Sequence, residues 1–189
     1  RKFVRGGLVL GEENFLSFSK IKEWCMYRNF DFLWNTPTDE ISTNLCVQVH
    51  KLRNKILGKD ENIGISYNKE NYGVYISTSL YPSGKGMLEM HSDGHSPTDE
   101  PILHYMIPLT FKGEHYEKGG LFVLDKKNKE VDVDSLCSPG SLIFFDGRNE
   151  HGVKLVEGKG VGRLAMFAVP CFFSKDTSLK VFKRRVSTS

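Results

Sequence analysis

Three residues of this 189-residue chain have the types and spacing of an open metal site. His91 and Asp93 stand two apart at the end of a predicted strand, whose period of two sends both to one face and turns Ser92 away. His151 follows in FFDGRNEHGVKLV, beside a second predicted strand. Two imidazoles and one carboxylate on a rigid sheet can form a facial triad that binds Fe(II) and leaves positions open, the arrangement of a catalytic rather than a structural ion. For each histidine taken alone, the competing role is a hydrogen-bonded core or rim residue. Arg163 opens the apolar run RLAMFAVPCFF, reached from His151 through the glycine-rich turn EGKGVG. A hairpin of that length brings the start of one strand near the end of the other. A guanidinium projecting from an apolar strand needs an anion, because its burial is costly unless it is paired. The carboxylate of an organic acid would fit its two-pronged fork, and so would an internal acid such as Asp146 or Glu150.

Elements must exist to hold these groups. Residues 12 to 30 place Phe15, Phe18, Ile21, Trp24 and Cys25 at helical spacing, with acids near the start. Residues 42 to 58 repeat the pattern with Leu45, Val49, Leu52 and Ile56 on one stripe, a Ser or Thr as N-cap and Gly58 as a stop. From residue 62 onward the pattern changes to short β-rich runs: NIGISY, YGVYISTSLY, MLEMH, ILHYMIPLTF, GLFVL, SLIFFD, HGVKLV and RLAMFAVPCFF. Helices followed by many strands predict an α+β domain whose body is a sandwich or a double-stranded β-helix of the jelly-roll, cupin-like kind. The expected organisation is one domain, with helical support over 1–60, a catalytic core over 62–175 and a basic, polar tail over 176–189. DKKNKEVDVD, residues 125 to 134, reads as a solvated hairpin tip, and KVFKRRVSTS as a loose end.

Composition narrows the function. With 39% hydrophobic and 26% charged residues, and 13 Phe, the chain can bury a core and does not have the make-up of a disordered protein. A formal net charge of +3 is too small for a dedicated nucleic-acid binder. No apolar run approaches a membrane span, and RKFVRGGLVLGEENF does not read as a signal peptide. Cys25, Cys46, Cys137 and Cys171 lie far apart without a C-x-x-C pair, so neither a disulfide framework nor a zinc ribbon is expected, and a reducing, cytoplasmic setting is the simpler one.

Taken in order, these features resemble a family. YPSGKGMLEMHSDG, from Tyr81 to Gly94, is similar to the tyrosine-to-H-x-D segment of the 2-oxoglutarate- and Fe(II)-dependent oxygenases, especially their prolyl-hydroxylase-like branch. KGGLFVL, PGSLIFFDGRNEHGV and RLAMFAVPCFF then follow in that branch's order, so that the resemblance covers about residues 74 to 173. It implies that His91, Asp93 and His151 ligate iron, that Arg163 binds the C5 carboxylate of 2-oxoglutarate, and that Tyr81 lines the cosubstrate pocket. That branch often adds a tyrosine from the strand here read as ILHYMIPLTF, whose comparable inward position falls on His104, Tyr105 or Pro108. His95 reads as loop, while Arg148 and Asn149 are candidates for substrate contacts or plain turn residues. Met87, Met90 and Met106 read as fillers of core gaps.

The implied activity couples decarboxylation of 2-oxoglutarate to succinate with hydroxylation of an unactivated C–H bond by O2, with ascorbate in support. A carboxylate at Asp93 points to hydroxylation, since a small residue there would open a halide position, while desaturation and ring closure use the same ligands. A small amino-acid-like or natural-product substrate is expected, with a peptidyl prolyl residue second. A metal-dependent enzyme without 2-oxoglutarate and a non-catalytic jelly-roll binding module are the alternatives.

Overall fold

A computed structural model of the chain describes residues 27–32, 40–65, 72–93 and 103–172. The predicted helical stretch 12–26, the loop residue His95 and the basic tail lie outside the described residues. In chain order the elements are β1 (Tyr27–Phe32), α1 (Glu40–Ile56), β2 (Tyr72–Pro82), β3 (Leu88–His91), β4 (Leu103–Pro108), β5 (Lys118–Leu124), β6 (Glu130–Asp132), a 3-10 turn (Asp134–Leu136), β7 (Ile143–Asp146), β8 (His151–Glu157) and β9 (Gly162–Phe172). The expected helix over 12–30 is corrected at its end, because residues 27–30 belong to β1.

Helix α1 starts at Glu40, ahead of the Ser and Thr expected to cap it. Glu40 in the first turn and Arg53 and Lys55 in the last complement the peptide dipoles. Gly58 ends it as expected: at φ +66° it donates its N–H to the Lys55 carbonyl at 3.1 Å, while Lys59 N–H reaches the Asn54 carbonyl at 2.9 Å. This 6→1 and 5→2 pair is a Schellman closure, and the left-handed φ is why glycine holds the position. The buried face consists of Cys46, Val49, His50, Arg53 and Asn54. Of the predicted apolar stripe only Val49 is buried, whereas Leu45, Leu52 and Ile56 are exposed.

What the helix buries is largely polar, and the turn after it accepts hydrogen bonds from two of those residues. His50 Nε2 donates to the Ile63 carbonyl at 2.8 Å, and Asn54 Nδ2 donates to the carbonyls of Glu61 and Ile63 at 3.0 and 2.9 Å. The segment NIGISY is therefore not a strand over 62–65. Asn62 N–H bonds Asp60 Oδ1 at 2.8 Å, Gly64 sits at φ +80°, and the chain turns back under α1.

The strands form a five-stranded sheet in the order β1-β2-β9-β4-β7 and a four-stranded sheet in the order β3-β8-β5-β6. The β3–β8, β5–β8, β5–β6 and β4–β7 pairs are antiparallel. By compactness the chain divides into two units, one holding Phe30–Ser77 with α1, the other Thr78–Phe167. Within the second, Met106 from β4, Leu121 and Val123 from β5, Phe145 from β7 and Ala165 from β9 make one core, joined by Val133. Tyr81, Tyr116, Val153 and Val156 make another. Among the described residues no helix is long and apolar enough to cross a membrane.

Candidate metal centre

His91 ends β3 and His151 begins β8, and the antiparallel register sets the two directly opposite one another. Their rings lie 4.4 Å apart between centroids. Asp93 follows β3 and is pinned by its backbone, whose N–H donates to the Gly147 carbonyl at 2.8 Å in the β7–β8 turn. Its carboxylate lies 3.8 Å from His91 Nε2 through Oδ1 and 3.5 Å from His151 Nε2 through Oδ2. One ligand atom from each of His91, Asp93 and His151 lies within 4.8 Å of the others.

The tautomers suit a metal. His91 Nδ1 donates to the Glu89 carbonyl at 2.8 Å, and His151 Nδ1 donates to the Asn149 carbonyl at 2.8 Å. A carbonyl only accepts, so each Nδ1 carries the proton and each neutral ring keeps its Nε2 lone pair for an ion. His151 is buried, while His91 and Asp93 are about one-third exposed, which leaves one side of the cluster open to solvent. Burial favours the neutral acid at Asp93, but a hydrogen bond from His151 and the charges of His104, His151 and His91, which act when those imidazoles take a second proton in place of a metal, hold its carboxyl below the usual value.

A fourth imidazole completes the surroundings. His104 on β4 is fully buried and places Nε2 3.2 Å from Asp93 Oδ2, within ion-pair range of the carboxylate. Phe145 and Phe167 stack against its ring at 5.5 and 5.1 Å, and Phe145 meets His151 edge-on at 5.1 Å. A methyl on Gly147 would collide with His104 Nε2, so glycine is needed there for space rather than for its φ. Tyr105 points the other way: it faces Phe144, its partner across the β4–β7 pair.

Arg163 is buried and already has a carboxylate, that of Asp134. Its Nε donates to Oδ2 at 2.6 Å and its Nη2 to Oδ1 at 3.3 Å, with Met106 Sδ accepting from Nη2 at 2.7 Å and the Tyr81 ring 5.6 Å from the guanidinium carbon. Asp134 also accepts from Tyr116 Oη at 2.7 Å and from Leu121 N–H at 2.8 Å. Burial opposes charge on Arg163, and Asp134 overrides it and raises the guanidinium pKa further. Burial, with the charge of Asp134 next, pushes the Tyr116 phenol up and the Cys137 thiol to about 11.

The internal partners weighed from sequence, Asp146 and Glu150, are elsewhere: Asp146 binds Arg148, with Nη2 to Oδ2 at 2.6 Å, and Glu150 gives its carbonyl to Leu124 N–H. The reading of 125–134 as a solvated tip holds around Asn128 and is corrected at Asp134, which is buried. Met90 is likewise exposed rather than a core filler, whereas Met106 is buried.

Three residues of this region escaped the sequence reading: Asp134, Tyr116 and Met106 in its contact with Arg163. The alternation Val-Asp-Val-Asp suggests two outward acids, but β6 ends at Asp132 and the 3-10 turn begins at Asp134, so Val133 and Asp134 are buried in succession. The glycine pair was the available signal. Gly119 and Gly120 sit at φ +78° and +101° in a bulge of β5, and a methyl on Gly120 would strike Asp134 Oδ2.

No protein-family model and no curated protein sequence matches the chain. Solved structures do. A prolyl-4-hydroxylase from Pseudomonas putida aligns with TM-score 0.58 at 18% identity, covering 81% of this chain and 75% of that one. A protein assigned to the 2OG-Fe(II) oxygenase family from Caulobacter crescentus aligns with TM-score 0.50 at 14% identity, covering 90% of this chain and 66% of that one. With two sheets of mostly antiparallel strands and a His-Asp-His cluster at one edge, the chain has the fold of the 2-oxoglutarate- and Fe(II)-dependent oxygenase structures, the prolyl-hydroxylase-like among them.

Proposed function

We propose that the chain is a non-haem Fe(II) dioxygenase with a double-stranded β-helix core, which uses 2-oxoglutarate to hydroxylate a C–H bond of a small amino-acid-like or natural-product substrate. The observation that carries this reading is the convergence of His91 Nε2, the Asp93 carboxylate and His151 Nε2, with both Nδ1 atoms tied to backbone carbonyls. Such a donor set, two neutral nitrogens and one anionic oxygen, suits Fe(II) and leaves coordination positions for reactants.

When bound, the metal with O2 and the oxo acid supplies the oxidation: one oxygen atom enters the substrate as hydroxyl, and the other enters the carboxylate formed as CO2 is lost. The chain's own residues prepare the place. The buried imidazole of His104, 3.2 Å from one oxygen of Asp93, closes the inner side of the carboxylate. Phe145 and Phe167 exclude water from the inner side, while the exposed edges of His91 and Asp93 face the side from which substrate arrives. The alternative substrate, a prolyl residue in a peptide, is supported by the likeness to the Pseudomonas putida prolyl-4-hydroxylase.

The test is an anaerobic titration of the protein with Fe(II) and 2-oxoglutarate, read by the weak visible charge-transfer band of the chelate. The expected result is a band that His151→Ala abolishes, followed on admission of O2 by CO2 and succinate release. A folded protein that takes up no Fe(II), or that takes it up yet binds no 2-oxo acid, overturns the reading. Amino acids and prolyl peptides then compete as stimulators of succinate release, and the better one identifies the substrate class.

A further inference from the structure

Arg163 is the cation that the sequence offers for the far carboxylate of the cosubstrate, and in the folded chain its fork is filled. Both contacts of the fork go to one side chain, with Nε on Oδ2 and Nη2 on Oδ1 of Asp134. Arg163 and Asp134 are 4% and 3% exposed, so each neutralises the other where water cannot. Asp134 is itself held from two further directions, by Tyr116 Oη and by Leu121 N–H. An incoming carboxylate that displaced it would strand those two buried donors and leave the Asp134 charge without its partner. The space is also built for Asp134, because Gly120 lacks the methyl that would collide with its Oδ2. The β7–β8 turn repeats the arrangement on a smaller scale: Arg148 donates from Nε and Nη2 to Asp146. Neither arginine brings surplus positive charge to a ligand.

We propose that Asp134 is a resident carboxylate occupying the anion seat of Arg163, so that the centre holds a 2-oxo acid by its chelating 2-oxo-carboxylate end without an anchor from Arg163 and does not select 2-oxoglutarate over 2-oxo monocarboxylates. This rests on the proposed metal and oxo-acid chemistry of His91, Asp93 and His151. The reaction balances without a second carboxylate. The oxo acid R–CO–COO⁻ loses CO2, its carbonyl carbon takes one atom of O2 to give R–COO⁻, and the other atom enters the substrate C–H bond.

The experiment is an anaerobic competition on the full chain loaded with Fe(II), comparing 2-oxoglutarate with 2-oxobutyrate by the chelate band and by calorimetry. A charge-assisted anchor is worth roughly tenfold to a hundredfold in affinity, so the expected dissociation constants lie within tenfold of each other. A preference for 2-oxoglutarate beyond tenfold overturns the proposal while leaving the oxygenase reading intact. Metal uptake with no binding of either acid overturns both, and that outcome is distinct. In Asp134→Asn the guanidinium regains a net charge, and 2-oxoglutarate is expected to gain about tenfold or more over 2-oxobutyrate. An unchanged ratio in that variant counts against Asp134 as the occupant. If the variant does not fold, the wild-type ratio decides alone.

Discussion

His104 touches Asp93 but is separate from the three convergent ligands, so its removal separates holding a metal from orienting what holds it. Replacing His104 with Leu keeps an apolar side chain against Phe145 and Phe167 and removes the imidazole that stands beside Asp93 Oδ2. Outer partners of this kind are worth about tenfold to a hundredfold in metal affinity, and a titration with Co(II) read by its visible spectrum checks that loss. Asp93→Ala, by contrast, is expected to abolish binding in the same titration. Gly147 gives a second test at this scale. An alanine there requires the buried His104 ring to move, so Gly147→Ala is expected to lower metal affinity together with the melting temperature, although its φ is not one that demands glycine.

Among the elements, α1 shows how a helix can be right in extent and wrong in orientation. Its span and its Gly58 stop are legible, because periodicity and a left-handed glycine are local signals. Which face is buried is not, because Leu45, Leu52 and Ile56 carry most of the apolar signal yet are exposed, while His50, Arg53 and Asn54 are buried beside Cys46 and Val49. That polar face is buried where the following turn supplies carbonyls, and no helical period encodes that turn. His50 makes this testable. Burial is the main cause that lowers its imidazole pKa to about 4, with the Ile63 hydrogen bond opposing and Arg53 adding to the depression. The unfolded chain, with an ordinary imidazole, binds the proton first, so this contribution is whole above about pH 6.5 and is lost as pH falls toward 4. It is on the order of 3 kcal/mol. Urea unfolding at pH 7 and pH 4.5 should show the loss, and His50→Gln should flatten that pH dependence.

Strand limits were similarly readable for β2, β7, β8 and β9, where β-branched and aromatic runs end in turn residues. NIGISY misled because alternating isoleucines mimic a strand, whereas Asn62 and Gly64 serve a turn.

For the molecule as a whole, the Arg163–Asp134 pair ties together four segments, since its hydrogen bonds join β9, β4, β5 and the 3-10 turn, with Tyr116 added. Deleting the acid alone, as in Asp134→Ala, leaves an uncompensated buried guanidinium and is expected to cost about 3–5 kcal/mol. The double variant Arg163→Met with Asp134→Leu should recover much of that, and a denaturation cycle over the four proteins measures the coupling. The sequence could not show this pair, since it joins a charged hairpin to an apolar strand and nothing local links them.

The register that sets His91 of β3 opposite His151 of β8 closes one of the longer loops in the described chain. Contacts so far apart in sequence form only after their loop entropy has been met by other structure. Competence to bind a metal should therefore return late in refolding, after the β5–β6 hairpin and α1 have formed. A stopped-flow experiment that follows Co(II) uptake beside far-ultraviolet circular dichroism should find the metal signal lagging, which would make the centre a clock for completion of its own sheet.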